Sequence, residues 1–138
     1  MAEKLIKSKQ RVRDRGEVFT PSWLVNDMCD LIPKETWTIE STFLEPSCGN
    51  GNFCVVILER KLALCKTEKD GLKALNSIVG IDIMQDNVNE CRARLLGLYM
   101  DKFPNANEVA IGFAKKILNN NIICGDSLKI QKQWEKER

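Results

Sequence analysis

Hydrophobic positions along the chain alternate between helical spacing and short continuous runs. Between residues 24 and 32 the apolar residues recur at helical spacing. This pattern predicts a helix with Thr20 as its N-cap, Pro21 as its first residue and Pro33 at its end. Three short apolar runs predict buried strands over residues 42–45, 78–83 and 121–124.

The segments between these runs return to helical spacing. Helices are predicted over residues 52–65, 85–99 and 106–118, and a further helical turn over residues 72–75. Residues 66–70 form a predicted charged loop, and the chain is polar from Lys129 onwards, like the approach to a fourth strand. Strands that alternate with helices pair in parallel through right-handed crossovers. The fold class predicted is therefore α/β, the first half of an open, doubly wound, Rossmann-like sheet of about three strands. Such a sheet is incomplete and leaves an unpaired edge.

Composition narrows the class of protein. The chain has 138 residues, 43% hydrophobic and 29% charged, which suits one globular domain. Its longest apolar stretch is far shorter than the roughly 20 residues that span a bilayer, and the N-terminus has no secretory signal. We therefore expect a cytoplasmic protein without a membrane segment.

Cysteine and histidine usage excludes several kinds of site. The six cysteines show no Cys-x-x-Cys spacing, and the chain has no histidine, so we expect no metal site. Reduced cysteines within apolar runs act as small hydrophobic residues and suit a reducing cytosol. The absence of histidine also removes Ser-His and Cys-His nucleophile pairs.

The first 17 residues differ from the rest of the chain. Residues 1–15 carry six Lys and Arg side chains against Glu3 and Asp14. We predict a flexible basic arm over residues 1–17, followed by a ligand-binding domain over residues 18–138. The arm either tracks nucleic-acid phosphates or is simply a solvated, frayed terminus.

Three loops that follow the predicted strands carry candidate chemistry. The first, residues 45–51, contains two glycines that let the backbone approach a ligand, and a helix N-terminus follows it. Asp82 and Asp126 follow the second and third strands, where an acid can accept hydrogen bonds from a nucleoside. Each feature has a simpler interpretation: the glycines only make a turn, Asp82 caps the next helix, and Asp126 forms an Asx-turn. Their occurrence at successive strand ends favours one shared ligand site.

Two segments resemble a known family. Residues 43–53, Phe-Leu-Glu-Pro-Ser-Cys-Gly-Asn-Gly-Asn-Phe, resemble the S-adenosylmethionine loop of N6-adenine DNA methyltransferases from bacterial restriction–modification systems. That loop has the pattern acid-Pro-Ala/Ser-small-Gly-x-Gly-x-Phe. Upstream, Gly16-Glu17-Val18-Phe19-Thr20-Pro21 resembles the family's aromatic-Thr-Pro segment, in the order of the gamma-type enzymes.

The resemblance implies a set of cofactor-binding residues. Thr20 and Pro21 would touch the methionyl group, Glu45 and the backbone from Ser47 to Gly51 would hold its amino-acid portion, and Asp82 would bind the ribose hydroxyls. Ile83 would lie against the adenine, and Asp126 would accept from its amino group, with Ser127 beside it. The full implied set is Phe19, Thr20, Pro21, Glu45, Pro46, Ser47, Cys48, Gly49, Gly51, Phe53, Asp82, Ile83, Asp126 and Ser127.

The family's catalytic loop, Asn/Asp/Ser-Pro-Pro-aromatic, has no counterpart in this sequence. None of the four prolines are adjacent, so we expect no catalytic residue and no methylation of DNA by this chain alone. The resemblance then implies a portion of a DNA methyltransferase that ends before the catalytic motif. DNA would be the partner of the complete enzyme, and a complementary chain, or self-association at the sheet edge, is a further expected contact. A non-catalytic module that pairs with another methyltransferase, and a small methyltransferase with another substrate, remain alternatives.

Overall fold

The computed structural model describes residues 3–137, in which it contains three strands and seven α-helices. The strands are β1 (Phe43–Glu45), β2 (Ile78–Asp82) and β3 (Ile122–Cys124). The helices are α1 (Lys9–Arg15), α2 (Ser22–Asp30), α3 (Asn52–Leu62), α4 (Glu68–Asn76), α5 (Gln85–Lys102), α6 (Glu108–Asn121) and α7 (Ser127–Lys136), with a 3-10 turn at Lys34–Thr36.

The strands form one parallel sheet in the order β1-β2-β3. Leu44 pairs with Val79, and Ile81 pairs with Ile123. Helices connect each strand to the next, as parallel pairing requires. The predicted α/β class and the three parallel strands are confirmed. Within residues 3–137, β1 and β3 each pair with β2 alone, so the sheet has two open edges.

The two faces of the sheet are covered unequally. Ile78 and Ile122 point into the main core, which includes fully buried side chains of α3, α5 and α6. Leu44 and Ile81 point to the other face, where α7 and its Trp134 border a groove of about 330 Å³. Leu44 is 53% exposed. The helical layer is therefore thick on one side of the sheet and reduced to α7 on the other.

Several helix boundaries differ from the prediction, most clearly those of α4, α2 and α7. The predicted loop over residues 66–70 is in part helix: the Thr67 side chain accepts from the Asp70 amide and Asp70 accepts from the Thr67 amide, so a capping box starts α4 at Glu68. The N-cap of α2 is Pro21 rather than Thr20, because Pro21 is extended and its carbonyl accepts the first helical hydrogen bonds. The polar segment after Lys129 belongs to α7.

The N-terminal segment is fastened to the domain by charge. Lys7 Nζ lies 3.0 Å from a carboxylate oxygen of both Asp86 and Glu90, and Arg11 Nη1 lies 2.6 Å from Asp86 Oδ2. Two cations of the predicted basic arm therefore pair with acids of α5. Residues 1 and 2 of that predicted arm lie outside the described residues. Within residues 3–137, no helix has both the length and the apolar character needed to cross a membrane.

Candidate functional site

A cavity of about 270 Å³ opens at the carboxyl ends of β1 and β2. One wall is the N-terminal segment 15–20, and the other is the glycine-containing loop between β1 and α3, with the end of β2 beside it. Nine of the fourteen predicted cofactor-binding residues line this cavity: Phe19, Thr20, Glu45, Ser47, Cys48, Gly49, Phe53, Asp82 and Ile83. Carboxyl ends of parallel strands are where open α/β sheets bind ligands.

The loop between β1 and α3 depends on its two glycines. Gly49 and Gly51 have φ of 54° and 101°, in the left-handed region that favours glycine. A Cβ atom on Gly51 would lie 2.8 Å from Cys91 Sγ, so the loop is pressed against α5. A Cβ atom on Gly49 would lie 3.1 Å from the Phe19 ring, so the same loop also touches the opposite wall.

Asp82 joins the loop to the end of β2. Its Oδ1 accepts from the Gly49 amide at 3.1 Å, and its Oδ2 accepts from the Met84 amide and from Asn87 Nδ2, each at 3.0 Å. The residue is 9% exposed. The bond from the Met84 amide, at the start of α5, agrees with the simpler interpretation of Asp82 as a helix cap. Capping alone does not account for the bond from the Gly49 amide or for the position of Asp82 on the cavity wall.

Of the acids that line the cavity, Glu45 accepts the fewest hydrogen bonds from the protein. Its Oε1 accepts from the Ser47 amide at 3.2 Å, and within residues 3–137 no cation pairs with it. Burial raises the pKa of this carboxyl, because the charged form loses solvation. A cation bound beside Glu45 would favour the charged carboxylate and lower its pKa again.

Glu17 lines the cavity although the sequence did not select it. Its Oε2 accepts from Arg11 Nη2 at 3.0 Å and from Asn87 Nδ2 at 2.8 Å. Asn87 therefore holds Glu17 and Asp82 together. The only sequence signal for Glu17 was its place beside the aromatic-Thr-Pro segment, since Asn87, which links it to Asp82, is 70 residues away.

Two asparagines of the loop were also missed. Asn52 Nδ2 donates to the Thr20 carbonyl at 2.7 Å, which ties the two cavity walls directly. Arg94 Nη1 bonds both Asn52 Oδ1 and the Asn50 carbonyl at 2.9 Å. These bonds fix the loop from behind, and asparagine at a loop or helix start gave no distinctive signal.

Five predicted residues do not line the cavity. Pro21 caps α2, and Gly51 is buried on the side of the loop that packs against α5. Pro46 and Ser127 border the groove on the opposite face of the sheet. Asp126 caps α7 through a 2.9 Å bond from the Leu128 amide, in line with the simpler Asx-turn interpretation. The end of β3 is still close, since the Gly125 amide donates to the Asp82 carbonyl at 2.9 Å.

The thiol of Cys48 is not set up as a nucleophile. A hydrogen bond with the Cys91 thiol, together with burial, raises the pKa of Cys48 far above its usual range. The reactive thiolate is therefore disfavoured. Within residues 3–137, no cluster of Cys, Asp or Glu side chains is arranged to hold a metal ion.

Comparison with known proteins adds nothing to this geometry. The chain matches no protein-family model, no curated protein and no solved structure.

Proposed function

We propose that this chain binds S-adenosylmethionine as the cofactor-binding portion of a site-specific DNA adenine-N6 methyltransferase. One observation carries this: the glycine loop, the acid at the end of β2 and the aromatic-Thr-Pro segment, three separate stretches of sequence, line one cavity. The sheet would then be the first half of the doubly wound sheet of methyltransferases, with its cofactor at the carboxyl ends of the strands.

The charge of the cavity supports a cationic ligand. Its lining residues include three acids, Glu17, Glu45 and Asp82, and one base, Arg15. S-adenosylmethionine carries a sulfonium and an ammonium. The ammonium would bind Glu45, whose carboxylate accepts from a single hydrogen-bond donor within residues 3–137. Binding of a cation there would also offset the desolvation that raises the pKa of Glu45.

The nucleoside would lie along the end of β2. A carboxylate has about four acceptor positions, and Asp82 uses three of them within the protein. A ribose hydroxyl would take the remaining position. The adenine would then reach Ile83, which is 48% exposed, so the ligand would be only partly enclosed.

Methyl transfer is assigned to no residue of this chain. A second polypeptide segment, which supplies the Asn-Pro-Pro-aromatic loop and contacts the DNA, would complete the enzyme. The open edge of β1 lies next to the loop at Pro46–Asn50 and is a suitable attachment point for a further strand.

Calorimetric titration tests the proposal. S-adenosylmethionine and S-adenosylhomocysteine should bind saturably with one site per chain, while ATP, which shares the adenosine but carries phosphates, should bind far more weakly because of the three cavity acids. Absence of saturable binding, or equal binding of ATP, contradicts the proposal.

The groove beside α7 favours a second candidate, a non-catalytic module that pairs with another methyltransferase. It is lined by apolar side chains including Leu44, Ile81 and Trp134, and it faces away from the main core. The two candidates differ in one assay. A supplied catalytic segment with no activity of its own should methylate DNA only in the presence of this chain if the first is correct. A module would instead alter the rate of a methyltransferase that is already active.

A further inference from the structure

One basic residue lines the cavity together with three acids. Arg15 is the only Lys or Arg among the lining residues, and it is the last residue of α1. Gly16 follows it with φ of 64°, and its amide bonds the carbonyls of Arg11 and Val12. This left-handed turn ends the helix and directs the chain into the cavity wall.

The orientation of α1 explains why Arg15 reaches the cavity. Arg11 faces α5, where it pairs with Asp86. Arg15 is four residues further along, on the same face of the helix. Arg13 is two residues from each of them, so it lies on another side of the helix. Arg13 and Arg15 are both exposed, but Arg15 lines the cavity and Arg13 does not. The pairing of Arg11 thus fixes the face on which Arg15 is presented.

The guanidinium of Arg15 is free to act on a ligand. Lys7 and Arg11 are engaged by acids on α5 and by Glu17. Across residues 3–137, by contrast, no side-chain hydrogen bond or ion pair involves Arg15. Two of the three acids, Glu17 and Asp82, already accept hydrogen bonds from protein donors.

The cavity therefore contains one free positive group and one nearly free negative group. We infer that Arg15 is a specificity-determining residue that binds the carboxylate of a ligand whose ammonium is bound by Glu45, so that the site recognises an α-amino-acid group attached to a nucleoside. A guanidinium suits this role because it bonds a carboxylate through two parallel N–H groups. The inference rests on the proposed function and names the part of the ligand that gives the site its selectivity.

Two ligands that differ only in the amino-acid group test the inference. S-adenosylhomocysteine carries that group, and 5′-deoxy-5′-methylthioadenosine lacks it, while both have an uncharged thioether. Arg15→Gln should weaken binding of S-adenosylhomocysteine about 10- to 100-fold, the usual range for loss of a charged hydrogen-bond pair. It should leave binding of methylthioadenosine unchanged. Arg13→Gln is the matched control and should change neither, and Arg15→Lys should restore part of the loss.

Each other outcome counts against Arg15 in a distinct way. Equal weakening of both ligands by Arg15→Gln would make it a structural residue, and no weakening of either would make it a solvated one. If the wild-type chain binds the two ligands equally, the nucleoside site stands and the recognition of the amino-acid group is wrong. If the wild-type chain binds neither, the proposed function itself fails. Circular dichroism and thermal unfolding of each variant show that the fold is intact.

Discussion

The amide of Gly49 donates to Asp82 Oδ1 at 3.1 Å, and this bond joins the glycine loop to the strand that follows it in the sheet. The two residues are 33 positions apart in sequence. The bond holds the loop against the end of β2, so that the two form one continuous wall of the cavity. Changes at Asp82 should therefore affect both the loop and the binding of the proposed ligand.

Asp82→Asn is expected to weaken S-adenosylmethionine binding by about 10-fold or more, because an amide replaces a charged acceptor of the ribose hydroxyl and of the Gly49 amide. Asp126→Asn is the control. Asp126 caps α7 and does not line the cavity, so this variant should bind within about twofold of the wild type. Calorimetry compares the two. A larger loss at Asp126 than at Asp82 would contradict the site as we describe it.

Gly51→Ala should lower the free energy of unfolding by about 2–3 kcal/mol, since it combines a strained φ with a clash against Cys91. Gly112→Ala should instead raise it by up to about 1 kcal/mol, because Gly112 lies in α6 with open space around its Cα. Urea unfolding measures both. Similar effects of the two substitutions would show that the loop is not packed against α5.

Lys61 is a buried cation held by backbone. Its Nζ donates to the carbonyls of Thr38, Ile39 and Ser41 at 2.6–3.0 Å. Lys61→Met should lower the free energy of unfolding by about 2–4 kcal/mol, because these carbonyls lose their charged donor. Lys73→Met is the control, with an effect within about 0.5 kcal/mol, since Lys73 is exposed and its contact with Glu40 is 3.9 Å long. Equal effects would contradict a special role for Lys61.

The same lysine should make stability depend on pH. Burial lowers the pKa of Lys61 to about 8, below the 10.5 of an unperturbed lysine. Between these values the unfolded chain holds a proton that the folded chain has released, so the free energy of unfolding rises with pH. Wild type should therefore gain stability relative to Lys61→Met between about pH 8 and about pH 10. A constant difference between the two proteins across this range would show that the amine does not titrate there.

Salt should loosen the N-terminal wall of the cavity. The pairs of Lys7 and Arg11 with Asp86 are partly exposed, and such pairs are screened by salt. Amide exchange of residues 5–20 should therefore be faster at about 1 M than at about 0.05 M NaCl. In Asp86→Asn, exchange should be fast at both concentrations. Exchange that is slow and independent of salt would show that apolar contacts, such as those of Phe19, hold the wall.

Acid should act on the same contact. A hydrogen bond from Arg11, supported by Lys7, holds the pKa of Asp86 well below its ordinary value of 3.8. The resulting stabilisation is complete above that value and is lost as the pH falls towards the lowered pKa. Exchange of residues 5–20 in wild type should therefore approach that of Asp86→Asn only at strongly acid pH. Convergence at neutral pH would contradict the assignment of this carboxylate as the anchor.

The strands were predictable from sequence because buried parallel strands are nearly continuous apolar runs. The cavity was partly predictable for a related reason: the ends of such strands meet at one edge, so residues in three separate loops were expected to be close. The start of α4 was missed: residues 66–70 were predicted to form a loop, although Thr67 and Asp70 have capping-box spacing.

Other features depend on contacts that leave no local pattern. Lysine in a helix ordinarily indicates an exposed position, yet Lys61 is buried by carbonyls of an irregular segment. The attachment of the N-terminal segment comes from Arg11 and Asp86, which are 75 residues apart. Asp126 had two reasonable interpretations, and only the geometry of α7 shows which contact its carboxylate makes.

The distribution of the thiols has a practical consequence. Five of the six cysteines are buried, and Cys124 alone is exposed. Its sulfur lies 3.6 Å from the carbonyl oxygen of Ile83. A maleimide dye or a nitroxide should therefore attach to a single atom of the unaltered polypeptide, beside Ile83 of the cavity lining. The molecule thus carries a natural position for a spectroscopic reporter.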